Sequence, residues 1–339
     1  MDGPRSLPAL LYLDAAAVEA CMPSLEERLD LAERTMRALV ADADLPPKIG
    51  VHPRPAGSFA HAMPAWLDGR ALDGRAEDAS ADLLGLKWVT GFPANRAAGR
   101  PAIHATVVLN DPATGVPTAI LDGSPITAHR TAAVSGVAIR HWSPRVPGRP
   151  LRAAVLGAGV QARSHLPVLG AVLPGVTVAV HDRHEDRAAA VAEAAAATPG
   201  IGAATVARSA GDAVSDADVV ITGISFGATR QTMGPAAFRP HALVVAIDYD
   251  MYCAADMARE ADLFLVDERA QFLAVQATGP FAGYPAPGAT IGEALAAGTV
   301  RPPGRVLVTH LGVGLADVIF GAAVTARARE LGLGVVLPR

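Results

Sequence analysis

The chain has 339 residues, a formal net charge of −4 and 51% hydrophobic residues, of which few are aromatic (4%). That is enough apolar material for one large or two medium domains with an aliphatic core. No basic block points to a nucleic-acid or acidic-membrane partner, and no apolar run in the sequence has the length of a membrane span.

In chain order, Tyr12–Asp14 reads as a short strand and Ser24 as the cap of a helix with Glu26 and Glu27 in its first turn. Pro46-Pro47 ends that region. Lys48–Trp66 predicts two short strands around a Pro/Gly turn, and Leu67–Asp82 a polar surface loop. Leu84–Thr90 is a strand carrying one lysine, Lys87, and Gly91–Pro101 is a loop. Ile103–Leu109 and Thr118–Leu121 are strands joined by the turn Asn110–Gly115. A helix follows over Thr127–His141, then a Pro/Gly linker, Trp142–Pro150, the clearest domain boundary in the residue pattern. Beyond it strands at 153–156, 176–181, 204–207, 218–222, 243–247 and 263–266 alternate with helices, which predicts a parallel, doubly wound sheet. A short helix near Ile291–Ala297, a last strand at Arg305–Thr309 and a closing helix at Leu315–Leu331 complete the pattern. The expected fold class is therefore α/β: a Rossmann-type doubly wound sheet plus a mostly antiparallel α+β domain.

The most informative stretch is Leu151–Leu169. A buried-strand pattern stops at Gly157-Ala158-Gly159 and resumes as a helix from Val160, with Ala162 completing a G-x-G-x-x-A dinucleotide fingerprint. Gly157 permits the tight turn, Gly159 lets backbone approach a pyrophosphate, and the anion rests on free N–H groups of the helix N-terminus. Asp182 ends the next strand, 25 residues after Gly157, near the ~20 expected of a ribose-binding acid. It favours NAD over NADP, with Arg183 and His184 softening the repulsion of a 2′-phosphate.

Other residues carry chemistry by type and position. Lys87 inside an apolar strand is either a lysine snorkelling from a strand edge or a buried ammonium that polarises a carbonyl or imine or holds a carboxylate. Arg130, in His129-Arg130-Thr131, adds a bidentate fork for an anion or lies on a solvated face. Lys48 has the same two readings. Asp248 and Asp250 follow an apolar strand at its carboxyl end, where open α/β sheets place ligands; they read as a general acid/base pair or as turn aspartates. The scattered His61, His104, His129 and His310 have no metal spacing, and no metal is expected. Cys21 and Cys253 lack any ligand spacing and fit free thiols in a reducing cytoplasm. The N-terminal stretch lacks a signal peptide's apolar length, so a cytoplasmic location is expected.

Taken together, Gly85–Val89 with Gly91-Phe92-Pro93-x-Asn95, then Leu109–Pro112 with Thr114-Gly115, Thr127–Ala133 and Leu156–Ala162 resemble the ornithine cyclodeaminase/mu-crystallin family; Leu311–Asp317 is a weaker match. The resemblance implies a Rossmann domain, 129–308, inserted into a substrate and dimerisation domain made of 1–128 and 309–339. It implies a homodimer that binds NAD, or alternatively NADP, and acts on small amino, imino or keto acids. By the same resemblance Lys87 and Asp250 are catalytic, and Lys48, Met63, Arg130 and Asp248 bind substrate. Thr131, Gly157, Gly159, Val160, Gln161, Asp182, Arg183, Thr222 and His310 bind the cofactor. This sequence has Asp248-Tyr249 where relatives have small residues before the catalytic aspartate. His310 stands where relatives have a small hydroxyl residue, and His61 where cyclodeaminases have an acid for the distal amine. The expected function is an NAD(P)-dependent oxidoreductase interconverting an amino acid with its imino or keto acid. The alternatives are an ornithine cyclodeaminase-type lyase and a non-enzymatic NADPH-binding, crystallin-like protein.

Overall fold

Ser24 and Glu27 illustrate how local chemistry sets the elements. In the computed structural model Glu27 N donates to Ser24 Oγ (3.3 Å) and Ser24 N to Glu27 Oε2 (2.8 Å), a capping box that starts a helix where the sequence predicts one. The structure describes residues 8–69, 82–227 and 229–339. The expected surface loop at 67–82 thus lies largely outside the described residues.

The first elements are β1 (Leu10–Leu13), α1 (Ala15–Ala20), α2 (Leu25–Ala38), β2 (Ala43–Asp44), β3 (Ile49–Val51) and β4 (Phe59–Leu67). Then come β5 (Leu83–Gly91), β6 (Ile103–Asn110), β7 (Pro117–Asp122) and the long α3 (Gly123–Trp142). The alternating region runs β8 (Arg152–Leu156), α4 (Val160–Val172), β9 (Val176–His181), α5 (Glu185–Ala196), β10 (Ile201–Val206) and α6 (Ala210–Ser215). It continues with β11 (Val219–Thr222), β12 (Leu243–Ala246), α7 (Ala255–Glu260), β13 (Leu263–Val266) and α8 (Arg269–Gln276). After β14 (Ala289–Thr290), α9 (Ile291–Ala296) and β15 (Val306–Thr309), the chain closes with α10 (Gly314–Leu331) and β16 (Val335–Leu337).

These elements form two compact units, one built from the chain up to Arg130 and from Val313 onward, the other from Thr131 to Gly312. The first unit holds a sheet in the order β16-β1-β7-β6-β5-β4-β2, with β3 also on β4. Its pairs are antiparallel except β1 with β7. Helix α10 lies on β4, β5 and β6. The approach is close: a Cβ on Gly314 would stand 2.4 Å from the Met63 carbonyl oxygen, so only glycine fits there.

The second unit is a parallel sheet in the order β10-β9-β8-β11-β12-β15-β13-β14. Its central strands are apolar up to their terminal Thr222 and Thr309 and fully buried, as a sheet covered on both faces requires. The strand order reverses between β8 and β11, which makes the carboxyl ends of those strands a topological switch point.

The units do not divide at the Trp142–Pro150 linker. That linker lies inside the second unit, and the division falls within α3. The indole nitrogen of Trp142 donates to the Thr299 carbonyl (3.1 Å), and Arg301 Nε donates to the Trp142 carbonyl (3.1 Å), so the end of α3 is tied to the parallel-sheet unit. Strand β16 was not anticipated. Its valines are exposed (57% and 66%), and it exists only through pairing with β1, far away in sequence.

Candidate functional site

In the first unit, the pleat of β5 turns alternate side chains inward. Gly85, Lys87 and Val89 are buried while Trp88 is 44% exposed. Lys87 pairs in register with Met63 of β4 and Val107 of β6, which are themselves buried. An ammonium in that place needs a partner, and Asp317 in the first turn of α10 supplies it: Nζ lies 2.6 Å from Asp317 Oδ2. Arg130 Nε donates to the other oxygen, Oδ1, at 3.2 Å. Lys87 is 1% exposed, Arg130 5% and Asp317 0%. Lys87 and Arg130 thus share one carboxylate, and the acid joining them was given no role from sequence. Its signal was there: one carboxylate in the otherwise apolar run Gly314–Phe320.

Two buried cations share one anion. Burial above all, and then the Arg130 charge, pushes the Lys87 pKa down to about 7, against the pull of Asp317; Lys48 adds to the lowering. His61, on β4, is stacked on Phe59 with ring centroids 4.6 Å apart. Its pKa is pushed down to about 4, first by burial and then by Lys48, His52 and Lys87. The region is cationic, with a planar fork and an ammonium, which suits a carboxylate and a polarised C=O or C=N group.

In the second unit, Gly157 has φ +102°, and a Cβ there would stand 2.6 Å from the Gly223 carbonyl oxygen. Nothing lies within 4 Å of where a Gly159 Cβ would be, so the backbone is open to an approaching group. Helix α4 follows with no side-chain cap, and its first residue, Val160, is 69% exposed. Ala162 is 4% exposed and packs inward, as the fingerprint requires. Asp182 braces the turn: its oxygens accept from Ala158 N and His184 N, both at 2.9 Å. Arg183 Nε is directed to His184 Nε2 at 3.2 Å. A tight glycine turn, open backbone and an uncapped helix N-terminus fit a dinucleotide pyrophosphate. Thr131 is buried in α3.

At the carboxyl end of β12 the two aspartates diverge. An extended backbone would place them on the same side, but Tyr249 between them has φ +61° and turns the chain. Asp248 accepts from the Thr222 hydroxyl (2.7 Å) and Ile224 N (3.2 Å). Burial pushes its pKa up to about 6, the hydrogen bonds oppose this, and the Asp250 charge adds to it. Asp250 faces Arg230 Nη1 (2.5 Å), Gln231 Nε2 (3.3 Å) and Phe281 N (2.9 Å). Gln231 and Phe281 have φ +54° and +58°, so three non-glycine residues in the left-handed region surround one carboxylate. Such strain costs about 1–3 kcal/mol per residue and persists where neighbours over-determine it. Asp250 is thus the anchor of these loops. Thr222, expected on the cofactor, gives its hydroxyl to Asp248. His310 is buried, its Nε2 2.9 Å from Ser135 Oγ.

Cys21 and Cys253 are buried free cysteines. Among the described residues no group of His, Cys, Asp and Glu is arranged to hold a metal ion, and no helix is long and apolar enough to cross a membrane.

The architecture is that of a two-unit α/β protein with a dinucleotide-type turn in its parallel-sheet unit. The chain belongs to the ornithine cyclodeaminase/mu-crystallin family, whose model matches residues 13–233. It is 32% identical over 302 residues to the nodulation efficiency protein NfeD of Rhizobium meliloti, covering 86% of this chain and 87% of that one. A shorter stretch of 141 residues is 37% identical to a Delta(1)-pyrroline-2-carboxylate reductase of Bacillus cereus (strain ZK / E33L), covering 42% of each chain. Among solved structures, the Thermococcus litoralis Delta(1)-pyrroline-2-carboxylate reductase in complex with NADH and L-proline shares the fold. The TM-score is 0.81 at 24% identity, over 96% of this chain and 100% of that one.

Proposed function

We propose that the protein is an NAD(P)-dependent oxidoreductase interconverting a small amino acid with its imino or keto acid by hydride transfer at Cα. The observation that carries this reading is the buried Lys87–Asp317–Arg130 group, two cations on one acid. Arg130, helped by Lys48, clamps the substrate carboxylate and so orients the substrate. Lys87 polarises the C=O or C=N group where charge develops. Met63, paired in register with Lys87, borders the same place.

Gly157, Gly159, Val160 and Gln161 would hold the pyrophosphate, with Thr131 beside them, and Asp182 the ribose diol. Asp182 favours NAD, with NADP as the alternative through Arg183. When bound, the nicotinamide supplies or accepts the hydride. The proton-transfer role passes from Asp250 to Asp248. Asp250 is paired with Arg230, whereas among the described residues no cation pairs with Asp248, whose pKa lies near 6. The relatives named as Delta(1)-pyrroline-2-carboxylate reductases, one of them described with NADH and L-proline, support both the cofactor and the class of substrate. We read the assembly as a homodimer.

A diamino acid suits the first unit poorly. Lys48, His52 and Lys87 surround a neutral His61, and a distal ammonium would meet repulsion rather than an acid. The test is a panel of 2-keto acids with ammonia or methylamine, and of cyclic imino acids, incubated with NADH or NADPH. Net oxidation of the cofactor is expected with at least one carboxylate substrate. Ammonia release from ornithine without net cofactor change would support the cyclodeaminase instead, and tight NADPH binding without turnover the crystallin-like protein.

A further inference from the structure

His129 of α3 stands between two other helices of the first unit. Its Nε2 lies 2.9 Å from Oε1 of Glu19, the next-to-last residue of α1. Its Nδ1 lies 2.5 Å from Nη1 of Arg28, near the start of α2. Arg28 is half-buried, and its Nε also donates to the carbonyl of Ser24, the cap of the same helix, at 3.4 Å.

The proton positions follow from the two partners. A guanidinium has only donors, so Nδ1 faces Arg28 as a bare lone pair. An ionised carboxylate only accepts, so Nε2 carries the proton and gives it to Glu19. The imidazole held between them is therefore neutral and of one tautomer.

A second proton changes the two contacts in opposite directions. It lands on Nδ1, the atom to which Arg28 donates, so that hydrogen bond is lost and two cations face each other. At Nε2 the same proton turns an ordinary donor into a cationic one, and the bond to Glu19 becomes the stronger, charge-assisted kind. The other charges on the neighbouring elements are engaged elsewhere. Glu27 of α2 accepts from Ser24 N, and the charge of Arg327 on α10 acts on Glu27 and Cys21. Asp122, before α3, accepts from Ser124 N, and Arg130, the next residue of α3, donates to Asp317.

We propose that His129 is a proton-operated tie between these helices: neutral, it fastens α3 to both α2 and α1; protonated, it releases α2 and tightens on α1. The turn of α3 that it fastens carries Arg130, which shares Asp317 with Lys87. The tie rests on the geometry of Glu19, His129 and Arg28 and is independent of the function proposed above.

Two measurements test it. Long-range proton–nitrogen NMR on protein with labelled histidines, assigned with His129→Gln, should find His129 at about pH 8 as Nε2–H with Nδ1 bare. Urea unfolding of wild type, Arg28→Met and Glu19→Gln at about pH 8 and about pH 5, on either side of the ordinary histidine range, reads the two contacts separately. Arg28→Met should cost about tenfold more in the folding equilibrium at the higher pH than at the lower, the scale of one hydrogen bond to a charged group. Glu19→Gln should show the reverse, with its larger cost at the lower pH. Lys87 and Asp248 also titrate in this range but drop out, because each variant is compared with wild type at the same pH. In a His129→Gln background, whose amide accepts from Arg28 and donates to Glu19 without titrating, the pH dependence of both costs should vanish. His129 found as Nδ1–H, an equal cost of Arg28→Met at the two pH values, or a pH dependence that survives in His129→Gln would overturn the proposal.

Discussion

The two units bury charge in opposite ways. The first places Lys87 and Arg130 on a single carboxylate and so keeps an excess of positive charge inside. The second buries acids at the carboxyl edge of a sheet and treats them unequally. Asp250 is paired with Arg230, while Asp248 accepts from the Thr222 hydroxyl and Ile224 N. A cationic interior selects an anion, and a carboxylate whose pKa lies near 6 moves a proton. On the function proposed above, the cations of the first unit would take the substrate carboxylate and Asp248 of the second would move the proton.

The strongest way to break this contrast is to remove the acid that holds the cations together. Asp317→Asn leaves Lys87 and Arg130 buried without their anion, and breaking such a group costs about 3–5 kcal/mol. Denaturant unfolding should register a loss of that size. A loss under about 1 kcal/mol, the scale of a surface pair, would mean that the group is solvated. Because Asp317 raises the Lys87 pKa, any residual activity should also shift to lower pH.

The aspartates sharpen the comparison on the other side. Asp248→Asn should lower kcat roughly a hundredfold with cofactor binding intact, the scale of one proton-transfer group. Asp250→Asn should act instead on the loops that Arg230, Gln231 and Phe281 build around it, lowering stability more than kcat. Steady-state kinetics with cofactor titration on both variants separates them, and the reversed pattern returns the catalytic role to Asp250.

A smaller effect, on the order of tenfold to a hundredfold in KM, is expected for Arg130→Lys, which keeps the charge but loses the planar fork. Wild-type KM in that variant would remove Arg130 from the carboxylate clamp.

The pH dependence has a definite sign. The Lys87 pKa falls from 10.5 to about 7 on folding, so between these values the unfolded chain holds a proton that the folded chain lacks. Stability should therefore rise with pH across that window, and Lys87→Met should flatten the rise. Asp248, raised from 3.8 to about 6, acts oppositely lower down: folded protein binds the extra proton, and stability falls as pH rises from 3.8 to 6. Reductive turnover, which needs charged Lys87, should fall above pH ~7; an activity plateau to pH ~10 would show Lys87 held fully protonated.

Periodicity and turn chemistry made most of this fold legible. The glycine turn, the capping box at Ser24 and the run of apolar strands each follow from residues near one another in sequence. What escaped depends on contacts between distant segments. Strand β16 forms only against β1. The linker after α3 marks no boundary because Trp142 and Arg301 bind the helix end to the parallel-sheet unit. In the site, Lys87 and Arg130 were legible as odd residues in apolar surroundings. The role of Asp317 needed α10 to return across β5, and the separation of Asp248 from Asp250 needed the positive φ of Tyr249. No local pattern marks Glu19 and Arg28, which gain meaning only as neighbours of His129.

The most direct test of the central claim is transfer of an isotope. The protein would be incubated with NADH deuterated on the transferable position of its nicotinamide ring and a cyclic imino acid or a 2-keto acid with ammonia, and the amino acid product examined by mass spectrometry. The account predicts deuterium at Cα of the product, in step with NADH oxidation and lost in Lys87→Met. An amino acid formed without deuterium, or none formed while the cofactor stays bound and unoxidised, would contradict it.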